Sequence, residues 1–156
     1  MTKPNIAFIS ATWHTDVTQN ARDAFGEAIG TSALITDHVV PGALEMPLKA
    51  QTLARTGEFS AIVCCGLVVD GGIYRHDFVA QAVLDGIMRV NLDEGVPVLS
   101  VVLTPHNYHD TKDLRNFFKK HFKIKGEEAA EAVRSLLNLP AAVKAPAEKK
   151  PNAPKK

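Results

Sequence analysis

Ser60–Val69, SAIVCCGLVV, carries no charged residue over ten positions and is rich in β-branched side chains. Such a run suits a strand covered on both faces, so it is placed at the centre of a sheet rather than at an edge. Its longest apolar stretch, Ala61–Val69, is nine residues even counting Gly66, well short of the roughly 18 to 20 that a membrane span needs. Cys64 and Cys65 are adjacent within it. Neighbouring strand side chains point to opposite faces, so these two are expected to be core residues, neither bonded to each other nor sharing a metal.

On either side of this run the sequence alternates between strand and helix patterns. Upstream, Asn5–Ala11 reads as a buried strand, and Asp16 as the N-cap of a helix over Val17–Gly30 with Val17, Ala21, Ala24, Phe25, Ala28 and Ile29 at helical spacing. Ala33–Val40 reads as a second strand. After the Pro41-Gly42 turn, Leu44–Thr56 reads as a helix with Leu44, Leu48 and Leu53 on its inner side and Pro47 in its first turn. Downstream of the Asp70-Gly71-Gly72 break, Val79, Val83, Leu84, Ile87 and Val90 predict a helix over Asp77–Glu94, and Val98–Leu103 predicts a fourth strand. Asp110 is expected to cap a helix running to about Phe122, and Gly126–Leu139 to form a separate last helix. Strands separated by helices require parallel βαβ units, hence an α/β domain with a four-stranded parallel sheet flanked by helices on both sides.

The chain has 156 residues and a formal net charge of +1, but the charge is unevenly spread. Of 18 Lys and Arg and 17 Asp and Glu, five lysines and one glutamate fall in Pro140–Lys156, leaving a mildly acidic body with thirteen basic and sixteen acidic residues. Residues 1–139 are read as the domain. Residues 140–156, with four prolines and no aromatic residue, are read as a disordered basic tail, with solubilising action preferred over contact with nucleic acid or a membrane. The N-terminus shows no basic flank followed by a cleavage site, so a cytoplasmic location is expected.

Ligands of open α/β sheets bind beyond the carboxyl ends of the strands, which selects Ala11–His14, Val40–Glu45, Val68–His76 and Thr104–His109. Trp13, the only tryptophan, is either a stacking surface for a planar ligand or a cover for an edge of the core. Gly42, Ala43, Leu44 and Glu45 lead into a helix N-terminus, where Glu45 either anchors a ligand or complements the helix dipole. In Asp70–Asp77 the pair Gly71-Gly72 offers backbone N–H groups to an anion, while Arg75 and His76 supply a fixed cation and a titratable imidazole; a solvated loop is the alternative. Neither glycine fingerprint of nucleotide-binding proteins is present. His106 and His109 lack a supporting ligand cluster, so no metal is expected. No nucleophile elbow occurs, which leaves acid–base chemistry or substrate organisation.

With Val40-Pro41-Gly42-Ala43-Leu44-Glu45-Met46-Pro47, Gly66-Leu67-Val68-Val69-Asp70-Gly71-Gly72 and Arg75-His76-Asp77-Phe78-Val79 in place, the chain resembles the lumazine synthases from about Asn5 to Leu139, in their type II branch. The resemblance implies a flavodoxin-like three-layer αβα sandwich and a cofactor-free transferase of riboflavin biosynthesis. Its substrates would be 5-amino-6-ribitylaminouracil and 3,4-dihydroxy-2-butanone 4-phosphate, and its product 6,7-dimethyl-8-ribityllumazine. It further implies a homo-oligomer, pentamer or decamer, with sites between neighbouring subunits. By the same resemblance Trp13 stacks the pyrimidine, Gly42, Ala43 and Glu45 bind the ribityl chain and ring, Leu67, Val68 and Val69 offer backbone contacts, and Gly71, Gly72 and Ile73 border the phosphate. Ser100 stands at the position that reaches in from a neighbour.

Three departures matter. Counting back from Val79 places Arg75 where the family has its catalytic histidine, with His76 one residue later, so His76 is assigned proton transfer and Arg75 the departing phosphate, or the reverse. Beyond Thr104 the spacing differs, leaving His121 and Lys125 as phosphate-side candidates. Asp70 replaces a common arginine. The rival expectation is a paralogue that binds ribitylated pteridines or flavins with little or no synthase activity.

Overall fold

The computed structural model describes residues 2–73 and 75–141. Among these residues, strands β1 (Asn5–Ala11), β2 (Leu34–Val40), β3 (Ala61–Leu67) and β4 (Val98–Leu103) form one parallel sheet in the order β2-β1-β3-β4. Helices α1 (Thr15–Ile29) and α4 (Lys112–Leu137) cover one face, and α2 (Met46–Thr56) and α3 (His76–Glu94) the other. This is a flavodoxin-like αβα sandwich, whose strand order reverses between β1 and β3. All but two residues of the expected tail, 140–156, lie outside the described residues. None of the described helices is long and apolar enough to cross a membrane.

Alternation along the inner strands divides the core. Ile6 and Phe8 of β1 with Val63 and Cys65 of β3 face α1 and α4, where they meet Phe25, Phe122 and Val133. Ala7, Ile9, Ile62 and Cys64 face α2 and α3, against Met46, Ala50, Val83 and Ile87. Cys64 and Cys65 therefore fall in different layers. Both thiols are buried and free, and burial pushes the Cys64 pKa up to about 12 and that of Cys65 higher still, so neither is a ready nucleophile.

Several local expectations are corrected. The two expected C-terminal helices are one. Gly126 lies in the middle of α4, where an added Cβ would overlap the Ala21 carbonyl oxygen of α1, so this glycine serves close helix packing rather than opening a new helix. The α4 cap is Thr111, whose hydroxyl accepts from the Leu114 N–H at 3.3 Å, not Asp110. Asp16 sits in the first turn of α1; the cap position belongs to His14. Residues 43–45 form a tight 3-10 turn ahead of α2, and the buried stripe of α2 is Met46, Ala50, Leu53 and Ala54, leaving Leu44 and Leu48 exposed. Leu84 and Leu136 likewise point outward.

On edge strand β2, the His38 and Phe59 rings pack nearly perpendicular with centroids 5.6 Å apart, and His38 Nε2 is buried without a partner among the described groups. Burial first, and then Lys49, hold its pKa below the ordinary 6.5, with Asp37 opposing. Between the folded value and 6.5 the unfolded chain binds the extra proton, so stability rises with pH through that window. The contribution is complete above pH 6.5 and is lost as the pH falls. Urea melts from pH 5 to 8 are expected to show this slope flattened in His38→Phe; an unchanged slope would remove His38 as its source.

Candidate active site

The four strand-end segments converge at the switch point. The Thr12 N–H donates to Val40 O at 3.1 Å and its hydroxyl to Pro41 O at 2.8 Å, tying the loop after β1 to the loop after β2. Thr104 Oγ1 donates to Val68 O at 2.9 Å and Val68 N–H to Leu103 O at 2.9 Å, tying β3 to β4. The braced loops enclose two adjoining clefts.

The first, ≈ 450 Å³, is lined by Ala11, Trp13, His14, Gly42, Ala43, Leu44, Glu45, Leu67, Val68, Val69, Gly71, Ile73, His76 and Val79. Its walls are mostly hydrocarbon, with His14, Glu45 and His76 as the ionisable exceptions. That suits a flat ring system carrying a few polar substituents. Trp13 is 69% exposed, so its indole is free to stack rather than to seal the core. One Glu45 oxygen accepts the Gly42 N–H at 2.9 Å; the other is left for a ligand, so the carboxylate both braces its own turn and faces the cleft.

The second, ≈ 620 Å³, is more polar and is lined by Asp70, Gly72, Ile73, Arg75, His76, Asp77, Thr104, Pro105 and His106. It opens at the N-terminus of α3, whose first N–H groups favour an anion. The expected glycine cradle is only partly available. Gly72, at φ 76°, donates its N–H to Asp70 Oδ1 at 2.8 Å, so that amide is already used. Arg75 lies over the Phe78 ring, 4.5 Å from its centroid, with Asp77 at 3.4 Å. Burial raises the Asp77 pKa, but Arg75 and the first-turn N–H groups together lower it further, so the carboxylate is a standing anion beside this cleft.

His76 and Ile73 line both clefts. The His76 Nε2 is 3.2 Å from Pro105 O. A carbonyl only accepts, so Nε2 carries a proton, and in the neutral ring Nδ1 is the free acceptor. A base at the boundary between two reactant-sized spaces can move protons between their occupants.

Other expected positions lie elsewhere. Ser100 is exposed on β4, with its hydroxyl accepting the Val102 N–H at 3.2 Å. His121 stacks on Phe117 at 5.9 Å and Lys125 pairs with Glu128 at 2.6 Å, both on α4; none of the three lines either cleft. Among the described residues, no three His, Cys, Asp or Glu side chains converge where they could hold a metal ion. Sequence reasoning passed over His14. It adopts φ 56°, ψ 37°, a left-handed conformation costing roughly 1 kcal/mol for a residue with a Cβ. It also passed over Tyr108, buried against His14 and Phe118, whose contacts bridge distant parts of the chain.

A doubly wound α/β domain with paired small-molecule clefts at its topological switch point is the class that fold and site define. Residues 3–141 match the family model for 6,7-dimethyl-8-ribityllumazine synthase. A relative from Rhodococcus erythropolis, a 6,7-dimethyl-8-ribityllumazine synthase, is 56% identical over 143 residues, covering 86% of this chain and 92% of that protein. Proteins named 6,7-dimethyl-8-ribityllumazine synthase 2 from Bradyrhizobium diazoefficiens and Pseudomonas syringae pv. tomato are 50% and 46% identical, each covering 85% of this chain and 81% of its own length. The chain belongs to the 6,7-dimethyl-8-ribityllumazine synthase family.

Proposed function

We propose that this chain is a 6,7-dimethyl-8-ribityllumazine synthase, condensing 5-amino-6-ribitylaminouracil with 3,4-dihydroxy-2-butanone 4-phosphate. The observation that carries the reading is the pair of adjoining clefts, one largely apolar and one polar, with His76 lining both. The first takes the uracil, stacked on Trp13, with Gly42, Ala43, Leu44 and Glu45 along its ribityl chain and the backbone of Leu67, Val68 and Val69 at its ring edge. The second takes the phosphate, beside Gly71, Gly72, Ile73 and Arg75.

One uracil amine attacks the ketone and water leaves to give an imine. Elimination then expels inorganic phosphate and leaves a new carbonyl, on which the second amine closes the ring with loss of another water. Two oriented reactants become effectively unimolecular, so positioning supplies much of the rate. The His76 Nδ1 accepts and returns the moving protons, and Arg75 holds the departing phosphate.

Residues 1–139 are the catalytic domain and 140–156 an appended basic tail, in a cytoplasmic homo-oligomer, pentameric or decameric. Exposed Leu84, Met88 and Leu92 make an apolar stripe on α3 that supports association. Within such an assembly Ser100, His121 and Lys125 belong to a neighbour's site.

Turnover with both substrates, followed by lumazine absorbance and fluorescence, tests the reading. Trp13→Ala is expected to weaken binding of the ribitylaminouracil roughly tenfold, at the upper end of what one aromatic stack contributes. Wild-type binding without turnover would instead favour the non-catalytic pteridine-binding paralogue.

A further inference from the structure

We infer that His14 is a binding group for the ribitylaminouracil and that Tyr108 is a positioning residue acting through it; the inference rests on the substrate assignment proposed above.

Among the described non-glycine residues, only His14 and Asn138 have positive φ. Asn138 follows the end of α4, where a left-handed residue commonly closes a helix. His14 precedes α1, where extended backbone and a capping side chain are usual. It provides neither. Its carbonyl takes the N–H groups of Val17 and Thr18 at 2.9 and 3.0 Å, but its ring makes no capping bond. The strained conformation therefore does nothing for the helix that the side chain could not have done better elsewhere. An outlier of this kind at a cleft wall points to a functional demand on where the side chain goes.

His14 lines the first cleft, and its ring packs against Tyr108, centroids 5.8 Å apart and planes at 71°. Tyr108 is 7% exposed and is wedged in turn against Phe118 at 5.8 Å. Its hydroxyl is buried with no partner among the described groups. Leaving a phenol unpaired is unfavourable, and phenylalanine would fill the same space without that cost. What the position supplies is an aromatic ring, packed between Phe118 and His14, against which the imidazole is oriented. Of the ionisable side chains on the first cleft, Glu45 already spends one oxygen on Gly42 and His76 spends Nε2 on Pro105. Among the described residues neither ring nitrogen of His14 has a hydrogen-bond partner, so both can serve, as donor and acceptor, polar substituents of the bound ring or its polyol.

Equilibrium binding of 5-amino-6-ribitylaminouracil alone, by calorimetry, tests this without turnover. Asparagine tolerates the left-handed backbone, so His14→Asn keeps the fold and removes the ring. His14→Asn and Tyr108→Leu are each expected to weaken binding about tenfold, with kcat at saturation little changed. Tyr108→Phe keeps the aromatic edge and should bind within about twofold of wild type. The double variant His14→Asn/Tyr108→Leu should bind no more weakly than either single one, because both changes remove the same contact. Near-wild-type binding by both single variants, or fully additive losses, would overturn the inference. Should Tyr108→Leu not fold, the His14 C2 proton resonance of wild type and Tyr108→Phe serves instead. It should shift on saturation with the uracil, and an unmoved resonance would overturn the assignment. Failure of the wild type itself to bind the uracil would defeat the function proposed above, whereas normal wild-type binding unaffected in the variants would defeat only this inference.

Discussion

Replacing His76 with alanine is expected to lower kcat about 100-fold, the lower end of what a positioned general acid–base group contributes. His76 opens α3, half-buried, and its Nε2–H is held by Pro105 O at 3.2 Å. That bond fixes the tautomer, so removal of the ring takes away an oriented base. The apolar wall, Trp13 and the Glu45 turn are untouched, so KM for the uracil should change little. Arg75→Ala should behave differently. The Arg75 guanidinium lies over Phe78 and beside Asp77 with its side chain mostly exposed, so it offers a screened charge rather than a proton. Its loss should raise KM for the butanone phosphate several-fold at low salt and less at high salt. With both substrates saturating, kcat should be retained in Arg75→Ala and lowered in His76→Ala. The opposite pattern would exchange the two roles, and a kcat unchanged in His76→Ala would remove it from proton transfer.

Much of this site was legible because topology did the selecting. The apolar run at 60–69 marked the buried central strand, alternating strands and helices forced parallel pairing, and parallel pairing put every βα loop at one end of the sheet. Trp13, residues 42–45, residues 67–69 and the loop through His76 then had to be neighbours, and they are. What escaped notice depended on contacts that no local pattern encodes. Leu44 and Leu48 carry a plausible helical spacing, yet the 3-10 turn at 43–45 shifts the helix phase and hands the core to Met46 and Ala50. Asp70 looked only like a lost positive charge; its carboxylate also consumes the Gly72 amide offered to an anion. Tyr108 stood in an irregular loop and gained meaning only when the fold brought it to His14. Gly126 is the sharpest case, since glycine beside a charged stretch reads as the boundary where a separate helix begins, and nothing within its own helix shows the backbone it must accommodate.

Gly126→Ala therefore sets two effects of opposite sign against each other. Within a helix, alanine is favoured over glycine by about 1 kcal/mol. If α4 were broken at this point, or if α1 were further away, the substitution would be neutral or stabilising. The packing argues otherwise. The new Cβ would overlap Ala21 O and lie 2.9 Å from both Ala21 C and Cα, all backbone atoms of α1 that no rotamer change can move aside. Overpacking of this kind costs up to about 3 kcal/mol, occasionally more, so a net loss of about 2 kcal/mol is expected. For a chain of this size that corresponds to a melting temperature lower by about 4–8 °C, measured at fixed protein concentration because association shifts apparent stability. The effect should reach the site as well. Helix α1 begins immediately beyond Trp13 and His14, and Asp16 in its first turn pairs with Arg115 of α4 at 3.0 Å. The same α4 carries Phe118 against Tyr108. Prising α1 from α4 loosens both supports of His14, so uracil affinity should fall together with stability. A raised melting temperature would mean that the two helices part there at little cost, and unchanged affinity in a destabilised variant would mean that the cleft wall is held by the sheet alone.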